Sequence, residues 1–141
     1  MIICSGLLHE VERPDLLLEC IKKECNHDTV VHINVPNANS MHRLLALECG
    51  YIQNTHDMST RNKDLQQHNV FDMESLTTLV KAKGMKIEAS GSYFIKPFTH
   101  AQMEKSLEAG ILLEEILDGL YHMEKYMPGL GSEIYVNCHL A

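Results

Sequence analysis

The sequence predicts an α/β fold built on a largely parallel sheet, and three observations lead there. Short apolar runs alternate with stretches at helical spacing, in the order strand, helix, strand, helix, helix, strand, helix, strand. The run from Thr29 to Val35 is nearly continuous in apolar residues, as expected of a strand covered on both faces. It ends in Val35-Pro36-Asn37-Ala38 and passes at once to Asn39-Ser40-Met41-His42-Arg43. Polar and cationic side chains thus gather at the carboxyl end of a strand, where open α/β sheets bind ligands.

Each element follows from local signals. Ile2 to Leu8 is an apolar strand. Pro14 opens a helix from Asp15 to about Cys25, a proline and an acid in the first turn both being start signals. Leu16, Leu17, Leu18, Cys20 and Ile21 are expected on its buried side. Asn26-His27-Asp28 turns into the second strand, and Ser40 then caps a helix from Met41 to Glu48 that stops near Gly50. The polar stretch Gln53 to Asn69 lacks periodicity and reads as a long loop, a type that often serves as a lid. Asp72 caps a third helix, with Leu76, Leu79 and Val80 at helical spacing, ending at Gly84. Met85 to Ile95 is the third strand, where Gly91 marks a bend or bulge. One long helix from His100 to Tyr126 carries Met103, Leu107, Ile111, Leu112, Ile116, Leu120 and Met123. That stripe is expected in the core, though it is wide enough to leave a partner surface. Pro128-Gly129 breaks the helix, and Glu133 to Leu140 is the last strand.

Bulk properties exclude several classes. A chain of 141 residues without repeat or linker is expected to form a single domain, 1–141. Twelve Lys plus Arg against 19 Asp plus Glu give a net charge of -7, and the cations are not clustered, so no nucleic acid is expected. No apolar run approaches the ~20 residues of a membrane helix. Met1-Ile-Ile-Cys-Ser-Gly lacks the basic region of a secretory signal. Five cysteines at irregular spacing fit a reducing, cytoplasmic setting. No metal is expected, because Cys20, Cys25 and His27 have the wrong spacing for a zinc knuckle and no two histidines stand four apart.

Gly6-Leu-Leu-His-Glu-Val-Glu-Arg-Pro14 resembles the fourth-strand segment of class I S-adenosylmethionine-dependent methyltransferases, an apolar strand ending in His-Glu before an acidic-Pro step. The Val35-Pro36-Asn37 strand end, then Gln67-His68-Asn-Val-Phe-Asp72 with its Leu-rich helix, continue the pattern. The individual motifs are degenerate, and their order over the whole chain carries the resemblance. It implies a partial Rossmann-like methyltransferase sheet of about four strands, the last one antiparallel, with flanking helices. The family holds its cofactor through a glycine-rich loop after the first strand and an acidic residue ending the second. Here no Gly-x-Gly loop leads into a helix, and Gly129-Leu-Gly131 runs into the last strand. The chain is therefore expected to be a truncated, C-terminal half, with the N-terminal cofactor-binding half missing.

The resemblance also implies roles. His9 would be the general base, its ordinary pKa of ~6.5 suiting proton abstraction near neutrality, with Glu10 beside it. A polar strand end facing solvent is the plainer alternative. Ser5 and Gly6 would face the methionine part of S-adenosylmethionine, but only if the missing half is supplied. Asn37, His42 and Arg43 stand where substrate enters. Arg43 could clamp a carboxylate or phosphate, or simply pair with an acid on its helix. His68 could line the same pocket, and Lys96 could bind an anion or be a solvated lysine. Two functions follow. One is methyl transfer to an O or N nucleophile of a small-molecule acceptor, inactive in this chain alone because half a cofactor site positions nothing. The alternative is a non-catalytic module that forms a homo-oligomer through its exposed sheet edge.

Overall fold

A computed structural model describes residues 1–58 and 60–141; Ser59, within the predicted loop, lies outside the described residues. The element order is β1 (Ile2–Ser5), α1 (Pro14–Lys23), β2 (Val31–Pro36), α2 (Met41–Glu48), α3 (Thr60–Asp64), α4 (Met73–Ala82), β3 (Met85–Tyr93), α5 (His100–Glu108), α6 (Glu114–His122) and β4 (Glu133–Leu140). A 3₁₀ turn, Met123–Lys125, follows α6. The four strands form one sheet in the order β1-β2-β4-β3. Strand β1 pairs with β2 in parallel, whereas β4 enters between β2 and β3 antiparallel to both. Hence β1, β2 and β3 run in one direction and the last strand alone opposes them, as expected.

One face of the sheet makes the core. Val31, Ile33 and Val35 of β2 lie beside Cys138, Val136 and Ile134 of β4, and Leu18 of α1 with Leu76 and Val80 of α4 closes over them. Burying each such side chain stabilises by about 1.5–3 kcal/mol. The intervening residues His32 and Asn34 point to the other face, beside Asn137 and Tyr135. The strand is covered on its second face too, where Asn34 is buried and His32 half-buried, but that face is polar, since the apolar run includes a histidine and an asparagine.

Several boundaries also differ from expectation. Strand β1 ends at Ser5 and not at Leu8, because Gly6 takes φ +60° and turns the chain out of the sheet. Leu16 and Cys20 are exposed, since at 100° per residue they fall opposite Leu18, the buried centre of α1. The predicted loop contains the short helix α3. In β3 the register irregularity falls between Ile87 and Ala89, while Gly91 leaves room for the Tyr135 ring, 3.0 Å from where a Cβ would stand. The single long helix is two, because Gly110 at φ +67° ends α5 and the amides of Ile111 and Leu112 turn back to the Ser106 carbonyl. Of the stripe expected in the core, only Met103 is buried, and Ile111 is 80 % exposed. Helices α2 and α4 and strand β4 stand where the sequence predicts them. Among the described residues no helix is long and apolar enough to cross a membrane.

Candidate functional site

The common direction of β1, β2 and β3 brings three carboxyl ends to one edge of the sheet, joined there by the start of antiparallel β4. Pro36, ending β2, and Tyr93, ending β3, both pair with Glu133. At this edge lie two cavities that share Pro36, Asn37, Arg43, Asn62 and Gln67. The smaller, about 40 Å³, is a recess whose lining includes His9 and Asn69. The larger, about 500 Å³, is walled by His42 and Ala46 of α2, Ile52, Leu65, Lys96, Thr99, His100 and Glu133.

His9 stands in the turn after β1 and is only 6 % exposed. Its carbonyl accepts from the amides of His68 and Asn69, which ties the turn to the segment before α4. Its ring Nδ1 is buried without a hydrogen-bond partner among the described residues, while Nε2 lies 4.0 Å from Glu10, an exposed acid. Burial lowers the His9 pKa below the ordinary histidine value, with Glu10 opposing. Burial thus favours the neutral imidazole, whose unpartnered nitrogen can accept a hydrogen bond.

Asn37 lines both cavities, but its side chain is engaged in holding the wall. Its Nδ2 donates to the carbonyls of Gly129 (3.0 Å) and Gly131 (2.8 Å), and its Oδ1 accepts from the Asn39 amide (2.9 Å). Both amide donors are committed, which leaves Asn37 as a brace for the turn into β4. That turn admits only glycine at 131, since a Cβ there would lie 2.4 Å from the Tyr93 nitrogen.

Ser40 precedes α2 with its hydroxyl on His42 Nδ1 at 3.1 Å. His42 is pushed down to about 4 by burial, and then by the charges of Lys96 and Arg43. It is neutral throughout the physiological range. Arg43 donates from Nε to the Thr55 carbonyl (2.8 Å) and from Nη2 to the Asp57 carbonyl (2.7 Å), which pins the 52–58 segment over the cavity. Its alternative pairing with an acid on its own helix is not what the side chain does. Three of its five N–H groups have no partner among the described residues.

His68 is exposed and lines neither cavity; its neighbours Gln67 and Asn69 do, because adjacent residues of an extended segment point to opposite sides. Ser5 is exposed at the end of β1, and neither Ser5 nor Gly6 lines these cavities.

Three contributors were not singled out from sequence. Glu133 is half-buried at the cavity wall, where it accepts from Asn34 Nδ2 (3.3 Å) and partial burial raises its pKa. Gln67 and Asn62 bond each other across the mouth of the recess. Only the position of Glu133 at the head of the antiparallel strand, beside Pro36, could have found it in advance. Lys96 is brought to the cavity by Phe94, whose φ of +60° turns the chain sharply at the end of β3. Such a conformation is uncommon for a bulky residue. Among the described residues no cluster of three His, Cys, Asp or Glu side chains could hold a metal.

No family model and no curated protein matches the chain. Among solved structures it is similar to a SAM-dependent methyltransferase from Archaeoglobus fulgidus, at 15 % identity and a TM-score of 0.49, over 96 % of this chain and 57 % of that one. It is also similar to a loganic acid methyltransferase solved with SAH, at 12 % identity and a TM-score of 0.42, over 98 % of this chain and 60 % of that one. The chain thus spans less than two thirds of the length of either.

Proposed function

We propose that this chain is the acceptor-side half of an S-adenosylmethionine-dependent methyltransferase, handling a small molecule that is methylated on oxygen or nitrogen. The observation that carries the reading is His9: a buried, neutral imidazole with an unpartnered nitrogen, after the first strand, beside a cavity of acceptor size. The sheet supports it, with three strands in one direction and the last one opposed, as the sequence resemblance implies. In this role His9 takes the proton lost by the acceptor hydroxyl or amine as it attacks. The remaining N–H groups of Arg43 and the neutral ring of His42 orient the acceptor, and Asn37 keeps the wall in place.

Ser5 and Gly6 would face the methionine part of the donor only where the missing half is supplied, by a longer form of the protein or by a partner chain. Proximity of donor and acceptor accounts for much of the rate in such transfers, so the chain alone is expected to be inactive. Calorimetric titration with S-adenosylmethionine tests this: no saturable heat is expected, and micromolar binding would overturn the half-site reading.

A second reading, a homo-oligomerising module, is favoured by the free edge of β1. Among the described residues that strand pairs with β2 alone, and its Ile3 is 66 % exposed. An unpaired edge with an apolar side chain invites strand addition. Light scattering at micromolar concentration should then give a dimer that Ile3→Lys dissociates, and a monomeric parent chain would sink this reading.

A further inference from the structure

The larger cavity has a charge character that the chain as a whole does not share. The chain carries a net charge of -7, yet among the described residues of this wall Arg43 and Lys96 face a single carboxylate, Glu133. Two helices begin at the same place. His42 and Arg43 belong to the first turn of α2, and Thr99 caps α5, whose first residue is His100; all four line the cavity. Neither first turn contains an acid, nor does that of the five-residue α3, whereas α1, α4 and α6 each carry one or two there. A helix start is the positive end of its dipole, and an acid there is ordinarily the stabilising choice. At α2 and α5 the sequence omits it where both ends open on a cavity.

A second feature points to a ligand independently. The recess that continues this cavity is lined in part by His9, whose ring Nδ1 is buried and has no partner among the described residues. A buried polar atom left unsatisfied costs about 1–3 kcal/mol, so the recess is suited to a small polar group. At about 40 Å³ it is large enough for a hydroxyl or a water molecule.

We propose that the cavity binds a small hydroxylated anion. Its carboxylate or phosphate is held by Arg43, Lys96 and the amino-terminal ends of α2 and α5, and its hydroxyl enters the recess at His9. That this anion is the methyl acceptor rests on the methyltransferase reading; the anion site itself stands on its wall. Glu133 tunes the site, since its carboxylate faces Lys96 and repels the ligand. His42, neutral between Lys96 and Arg43, offers hydrogen bonding without charge.

The test is an NMR titration of the whole chain with glycolate, acetate and inorganic phosphate, following backbone amides. Saturable shifts at His42, Arg43, His100 and Ala101 are expected. Glycolate should bind more tightly than acetate, because its hydroxyl reaches His9; equal affinities would overturn the part of the proposal that concerns the recess. Phosphate and carboxylate arms show which anion is preferred. Lys96→Met should weaken binding about tenfold, and Glu133→Gln should strengthen it, an opposite sign that loss of folding cannot mimic. Shifts without saturation, or unchanged affinity in a folded Lys96→Met, would overturn the anion site. Protonation of the His9 ring, read on the same samples, reports on the catalytic reading separately.

Discussion

The two faces of the sheet are built on the same strands and have opposite character. On one, Val31, Ile33, Val35, Ile134, Val136 and Cys138 are sealed beneath α1 and α4. On the other, one residue along each strand, the sheet carries His32, Asn34, Tyr93, Tyr135 and Asn137. Their groups satisfy one another laterally: His32 Nδ1 with Asn137 Oδ1 at 2.7 Å, Asn34 Nδ2 to the Tyr93 hydroxyl at 3.1 Å, and the His32 ring stacked on Tyr135 at 5.7 Å. The first face obtains stability from apolar burial. The second keeps its polar rings and the Asn137 amide half open, buries Asn34, and sets Asn34 and Tyr93 beside Glu133. Stability and chemistry are separated by the two-residue period of the strand.

The contrast can be broken most severely on the packed face. Ile33→Ala removes a fully buried side chain and should destabilise by about 2–5 kcal/mol in chemical unfolding, whereas the adjacent His32→Ala should cost less than about 1 kcal/mol. Similar losses at both positions would erase the distinction. Asn37→Ala, at the edge where the faces meet, leaves the Gly129 and Gly131 carbonyls short of a donor and should cost about 1–3 kcal/mol.

A smaller effect concerns pH. His42 has a folded-state pKa of about 4 against an ordinary 6.5, so below about 6.5 the unfolded chain binds the proton first. Its contribution to stability is complete above that value and is lost as pH falls from 6.5 toward 4. Glu133, raised by burial, acts in the opposite sense just above the ordinary carboxylate range. The difference between parent and His42→Gln isolates the histidine: the Tm of the variant should fall less between pH 6.5 and 4. Parallel curves would show that His42 titrates normally in the fold.

Much of this molecule is legible in its sequence, for identifiable reasons. Helix α4 announces itself through Asp72, whose side chain accepts from the Ser75 amide in a reciprocal cap, and β4 through its strict alternation. The split between α5 and α6 was missed because the apolar spacing runs through Gly110, and a helical repeat does not reveal where the backbone turns left-handed. At the site, His9, His42 and Arg43 were legible as polar residues directly after strands. Asn37 was legible as a position but not as a brace, because its partners lie more than 90 residues away. Glu133 was hidden because an acid at the start of a strand looks like an ordinary exposed end until the antiparallel pairing sets it beside Pro36.

The central claim is that a neutral base sits at the carboxyl edge of this sheet, and the pH titration of the His9 ring by NMR tests it most directly. The ring should titrate below the ordinary histidine value, as burial lowers it. A His9 that titrates at or above the ordinary histidine value, or remains protonated at neutral pH, would contradict the account.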